Sequence, residues 1–300
     1  MNRFLVREGV FLSAPENPQF DSQPLNSEPQ APNPFVVLPV PAPLLQRVPA
    51  SPKAHENPVW SGWDVLWMLI LTAVTFVLAQ LFVVPVLFRL AYPEATPMEL
   101  LQKPALILLS QLLLYAVMAL FMVLLVEGKY HTRFWPAIRW NWPGVRGVSF
   151  VGVGVLMLGF DILGRFLPMP KNTPFDQFFD RPFDAYLTAA FAVTLGPLME
   201  ELFFRGFLYP VVARRLGAVW GILLTALPFG LMHFFQYGNS WGAVLIVFLV
   251  GVVLTAVRAR TKSVAASFLA HVGYNGTLMA LAAWSSDGFK HMEKAAISLF

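Results

Sequence analysis

Residues Pro104 to Val126 read PALILLSQLLLYAVMALFMVLLV, and no Asp, Glu, Lys or Arg interrupts them. At about 1.5 Å per residue, a helix of this length crosses a hydrocarbon core roughly 30 Å thick. A membrane β-barrel would need ~10-residue strands that alternate polar and apolar side chains, and this run does not alternate. Lipid offers no partner to backbone N–H and C=O groups, so the segment must satisfy its own as a helix. Val65–Leu90, Val148–Leu167 and Val244–Val257 are further long apolar runs, with Arg89 in the first and Asp161 and Arg165 in the second.

The whole chain agrees with this reading. It is 57% hydrophobic and only 13% charged, with a mean hydropathy of +0.60, whereas soluble domains are about 25% charged. The fold expected is all-α: a polytopic membrane bundle of about seven transmembrane helices at 65–90, 104–127, 148–167, 184–208, 219–236, 242–258 and 264–284. Cysteine is absent, which excludes a disulfide framework, a thiolate metal site and a thiol nucleophile. The N-terminal MNRFLVREGVFLSAPEN has no apolar core of the signal-peptide kind.

Residues 1–59 carry twelve prolines among Asn, Gln, Ser and Glu, a composition that reads as a disordered, proline-rich tail. Residues 60–175 hold the first transmembrane helices, 180–285 a core in which the polar motifs gather, and 286–300 a C-terminal tail. The isoelectric point near 9.4 reflects loop residues, read as topology signals and not as a nucleic-acid surface. Lys129, Arg133, Arg139 and Arg146 fill the second connection, Arg214 and Arg215 the fourth, and Arg258, Arg260 and Lys262 the sixth. The fifth has no Lys or Arg, and the first and third mix Lys103, Lys171 and Arg181 with acids. The positive-inside rule then puts the tail in the cytoplasm and the C-terminus outside. A prokaryotic plasma-membrane protein is expected.

Ionisable residues inside spans are costly, by at least ~2.5–3.5 kcal/mol each, so those that occur are informative. In Gly196-Pro197-Leu198-Met199-Glu200-Glu201-Leu202-Phe203-Phe204-Arg205, Gly-Pro breaks the incoming helix and the glutamates begin a new one. Glu201 and Arg205, four apart, share a face and form an internal ion pair. Glu200 points about 100° away and is left as the working carboxylate. His233 ends Phe229-Gly230-Leu231-Met232-His233 in the fifth span, and in His271-Val272-Gly273-Tyr274-Asn275 the i,i+4 spacing puts imidazole and carboxamide on one face. Asp161 and Arg165 have the same spacing and read as a self-contained pair. Gly217 and Gly221 read as a close-packing GxxxG. Counted from the cytoplasmic ends, Glu200 and His271 lie roughly 12 and 11 Å deep but His233 roughly 20 Å, a mismatch.

Glu200-Glu201-x-x-x-Arg205, Phe229-x-x-x-His233 and His271-x-x-x-Asn275, in this order on successive helices, resemble the CPBP family. That family comprises the type II CAAX prenyl endopeptidases and the bacterial Abi, or bacteriocin self-immunity, proteins. The resemblance covers roughly 180–285. It implies an intramembrane glutamic-type endopeptidase in which Glu200 activates water with His233, His271 and Asn275 stabilise the oxyanion, and Glu201 and Arg205 support the site. Amide hydrolysis at neutral pH needs such a base and such donors.

No cofactor is required on this reading. The rival is a zinc ion on Glu200, His233 and His271 with water as fourth ligand. A peptide or lipidated-protein substrate and membrane lipid are the expected partners, and both prenylated CAAX proteins and bacterial peptides fit. The other class of function is a non-catalytic membrane immunity, scaffold or transport protein using the same buried groups. Transport would favour two related halves with matching broken helices, and the single Gly-Pro break has no counterpart in the first three spans.

Overall fold

A computed structural model describes residues 56–91, 93–94, 96, 103–170 and 173–292. Residues 1–55, most of the expected disordered tail, and the last residues of the C-terminal tail lie outside the described residues. Among the described residues the regular structure is helical. Helix α1 (Gly62–Leu78) runs through a π-helical turn (Ala79–Val83) into α2 (Val84–Ala91). Then come α3 (Pro104–Val123), the short α4 (Phe134–Ala137), α5 (Gly147–Met157) and α6 (Gly159–Gly164). The last part holds α7 (Pro182–Val193), α8 (Leu195–Glu200), a π-helical stretch (Glu201–Leu208), α9 (Tyr209–Leu231), α10 (Trp241–Thr261) and α11 (Val264–Ser285).

Among the described residues five helical runs are long and apolar enough to cross a membrane, which fits a membrane bundle without reproducing the count of seven. The difference lies in two places. Pro182–Leu231 counts as one run, although Gly217, at φ +82°, turns the chain back inside it. A Cβ placed on Gly221 would stand 2.8 Å from Ala213 Cβ, a contact that a straight helix forbids eight residues apart. Gly217 is therefore the turn of a hairpin, not half of a GxxxG seam, because only glycine takes this φ without strain. The second place is α11, whose apolar run is interrupted by the polar residues of the site.

Local sequence explains most helix ends. Ser61 and Asp64 form a reciprocal capping box on α1. Ser240 and Ser263 accept from Ala243 N and Ala266 N at the starts of α10 and α11. Lys262, in the left-handed conformation, closes α10. The break expected at Gly196-Pro197 falls slightly earlier, at Thr194 (φ −116°, ψ −78°). Pro197 sits inside α8, where its missing N–H leaves the junction with α7 unsupported.

Helices α5 and α11 meet backbone to backbone. A Cβ on Gly154 would overlap Ala270 O, and one on Gly273 would overlap Val151 O. Small residues allow such an approach in membranes, and this seam sets the height of His271 and Asn275. The fifth helix ends at Leu231, short of the expected 236, so His233 stands in the turn beyond it with its N–H on Gly230 O. From that turn His233 lines the same cavity as Glu200 and His271.

Residues at the end of the proline-rich segment are held in place by several contacts. Glu56 is 5% exposed and meets Arg258, Lys262 and Arg139 at 3.1, 3.1 and 3.4 Å. Arg214 donates to Pro58 O and Trp60 O. The Trp60 indole stacks on Phe207 at 4.4 Å and donates to its carbonyl. Residues 56–61 thus strap the basic loops to the helix that carries the glutamates.

Candidate active site

Glu201 and Arg205 are both 0% exposed. Arg205 donates to Glu201 Oε1 at 2.9 Å, to Thr255 Oγ1 at 3.2 Å and to Gly251 O at 3.1 Å, and its guanidinium lies over the Phe229 ring at 4.3 Å. Glu201 Oε2 accepts from Ser267 Oγ at 2.6 Å, and Oε1 also receives His271 Nδ1 at 3.0 Å. A charge taken out of water is tolerated only with such full satisfaction. The predicted ion pair exists, and its carboxylate is fully buried away from the cavity, held by three donors.

Glu200 is placed differently. Its side chain is 15% exposed and borders a cavity of about 440 Å³ that His233, His271 and Asn275 also line. His271 Nε2 lies 3.7 Å from Glu200 Oε2, so this ring stands between the two glutamates. A carboxylate only accepts, which assigns the Nδ1 proton of His271 to the bond with Glu201. His233 Nδ1 lies 2.9 Å from Phe229 O, which likewise fixes its Nδ1–H and leaves Nε2 as the free nitrogen. Asn275 Nδ2 donates to Ala192 O at 2.8 Å, two residues before the break at Thr194, and keeps its second N–H.

All six predicted site residues therefore sit in or directly beneath one cavity, although Glu200 and His233 share no direct hydrogen bond. Among the described residues no group of three His, Asp or Glu side chains is placed to hold a metal ion.

Other groups were not anticipated. Ser267 lies four residues before His271 and extends the stripe 267/271/275, a spacing that could have revealed it. Thr255 carries no such signal. Tyr115 and Gln111 reach the cavity from α3, Tyr115 stacking on Phe191 at 5.7 Å. Tyr237 lies parallel to His233 at 6.1 Å. The expected Asp161–Arg165 pair does not form: Arg165 is exposed, and Asp161 Oδ1 instead accepts from Tyr274 OH at 3.0 Å. The helix stops at Gly164, so the one-turn geometry that would have joined them is lost.

A family model described as Type II CAAX prenyl endopeptidase Rce1-like matches residues 182–277. Comparison with the curated proteins and with solved structures gives no match. The match covers about a third of the chain, and all three motifs lie inside it, which supports the resemblance to the type II CAAX prenyl endopeptidases.

Proposed function

We propose that this membrane protein hydrolyses a peptide bond of a membrane-associated substrate, with Glu200 as the base. The observation that carries this reading is the division between neighbouring glutamates. Glu201 is consumed by Arg205, Ser267 and His271, while Glu200 faces the cavity beside two imidazoles. Glu200 takes a proton from water as the water oxygen attacks the carbonyl carbon, and His233 Nε2 orients that water. The developing oxyanion receives the second N–H of Asn275. His271 adds a donor when Nε2 is also protonated, and the carboxylates at 3.0 and 3.7 Å are the counter-charges for that form. When the C–N bond breaks, the proton on Glu200 passes to the leaving amine, giving an amine and a carboxylic acid, which then loses its own proton to solvent. No metal enters this scheme.

The test compares wild type, Glu200→Ala and His271→Ala on prenylated and unprenylated reporter peptides, with and without a strong chelator. The reading requires cleavage by wild type that survives chelation and losses of about 10²-fold or more in the variants. Equal cleavage by all three proteins overturns the assigned roles. Chelator-dependent loss restored by zinc overturns the metal-free form.

A further inference from the structure

In the charge-free run 104–126 the polar side chains are Ser110, Gln111 and Tyr115. Ser110 turns its hydroxyl back onto Leu106 O, 2.9 Å away in its own helix. Gln111 and Tyr115, four apart, share a face of α3, and both line the cavity that holds Glu200, His233, His271 and Asn275. Ile107, one turn earlier on the same stripe, lines it too, so this face of α3 forms one wall of the site. Polar side chains in lipid-embedded helices commonly serve as glue to a neighbouring helix. Among the described residues these two bond to each other instead, the Gln111 carboxamide to the Tyr115 hydroxyl. All of α3 lies outside the residues 182–277 that match the family model.

The Tyr115 ring is held in place. The residue is 8% exposed, and its ring stacks on Phe191 at 5.7 Å and 11°. The next residue, Ala192, is the one whose carbonyl accepts from Asn275 Nδ2 at 2.8 Å. One short stretch of α7 thus anchors both the phenol ring and the Asn275 carboxamide, and the phenol hydroxyl also lies within the field of the Glu200 carboxylate. With a Gln111 N–H donated to the phenol oxygen, the O–H is left to donate onward, and accepting one bond strengthens the other. A developing oxyanion needs preorganised donors. Asn275 supplies one N–H, while His271 supplies another only when Nε2 is protonated. A phenol keeps its proton throughout the neutral range, its ordinary pKa being about 10.

We propose that Tyr115 is a further catalytic residue, whose hydroxyl, oriented by Gln111, donates to the developing oxyanion together with the free N–H of Asn275. The proposal rests on the hydrolase reading. The phenol proton stays on its oxygen throughout, so the bonds made and broken and the path of the water proton are those given above. Gln111 acts through Tyr115 and is a positioning residue. The oxyanion then has two neutral donors whatever the protonation of His271, and a helix outside the three motifs contributes directly to the chemistry.

The test compares full-length wild type, Tyr115→Phe, Gln111→Leu, the double variant and Glu200→Ala on the reporter peptide that wild type cleaves fastest. For each protein kcat, KM, the pH profile and the unfolding temperature are measured. Phenylalanine keeps the ring that stacks on Phe191, so the unfolding temperature of Tyr115→Phe should stay near wild type. Its kcat should fall about 10²–10³-fold, the loss typical of one oxyanion donor, with KM little changed. Gln111→Leu should lose less. The double variant should be no slower than Tyr115→Phe alone, because Gln111 then has no hydroxyl to orient. An unchanged kcat, a loss confined to KM, or cleavage that falls in step with the unfolding temperature overturns the proposal, and Glu200→Ala, inactive beside an active wild type, leaves the hydrolase reading standing. A displaced acid limb of the pH profile at an unchanged plateau places the hydroxyl on Glu200 instead and overturns it as well. Losses that multiply in the double variant overturn the role of Gln111. Cleavage by Glu200→Ala at the wild-type rate, or none by wild type, overturns the hydrolase reading and this proposal with it.

Discussion

His271 Nδ1 lies 3.0 Å from Glu201 Oε1, and both side chains are almost entirely removed from solvent. The bond joins the π-helical stretch after Glu200 to α11, so the buried carboxylate that neutralises Arg205 also sets the imidazole's orientation. Hydrogen bonds that fix a ring's tautomer are what make a catalytic histidine reproducible from one turnover to the next.

Replacing Glu201 should therefore damage fold and activity together. Glu201→Ala strands the guanidinium of Arg205 and frees His271, at a cost of about 3–5 kcal/mol. Folded yield after detergent extraction and thermal unfolding of the purified protein are the measurements. Ser267→Ala removes one charged hydrogen bond and should cost roughly 1.5–3 kcal/mol.

Glu200 should behave in the opposite way. Glu200→Gln keeps the shape of a side chain that forms no pair with a lysine or arginine, so its unfolding temperature should stay near wild type. Peptide cleavage should fall by about 10²–10⁴-fold. A large loss of folded protein would show that Glu200 is structural.

The two candidate partners of Asp161 are separable by substitution. Tyr274→Phe removes the hydroxyl that bonds Asp161 and should destabilise by about 1–2 kcal/mol. Arg165→Ala should stay within about 0.5 kcal/mol, as exposed substitutions do. A larger effect at Arg165 than at Tyr274 would restore the one-turn pair.

The glycine seam predicts a size limit. Gly273→Leu must push α11 away from Val151, which displaces His271 and Asn275. Overpacking of this kind costs about 1–3 kcal/mol. Loss of cleavage in Gly273→Leu at temperatures where the protein remains folded would show that the seam positions the site.

The strap predicts a pH dependence. Burial alone would raise the Glu56 carboxyl, but Arg258, Lys262 and Arg139 outweigh it and hold it below the ordinary carboxylate value. A lowered folded value means that the stabilisation is fully present above the unfolded range, near 4.3 for glutamate. It is lost as pH falls through the folded value. Thermal stability should thus owe no slope to Glu56 between about pH 5 and 8 and should decline in more acid buffer. Glu56→Gln should lose roughly 1.5–3 kcal/mol at neutral pH and lack that part of the acid slope.

Much of this was legible in the residues themselves, for reasons of range. Charge-free runs identify membrane helices because lipid penalises every unmatched backbone and side-chain polar group. The spacings of Glu201 with Arg205 and of His271 with Asn275 place partners on shared faces because helical geometry is local. The same rule failed for Asp161 and Arg165, where the helix ends between them and a tyrosine from the last helix competes for the carboxylate. A count of depth along separate helices also failed for Glu200 and His233: the chain stays helical past 208 as far as Gly217, so Glu200 lies deeper than a count from 208 gives.

By itself, then, the sequence determined the membrane bundle, the order of the three motifs and the separation of Glu200 from an Arg205-bound Glu201, all consequences of periodicity and of the cost of charge in lipid. Only the tertiary structure decided the rest: that Ser267, Thr255 and His271 complete the Glu201 network, that residues 56–61 fasten the basic loops, and that Tyr115 and Gln111 reach the cavity from α3. These depend on contacts between segments tens to hundreds of residues apart. Such contacts arise from the way whole helices pack: the 267/271/275 spacing puts Ser267 on the face of the site, but which carboxylate it meets is not written along one helix.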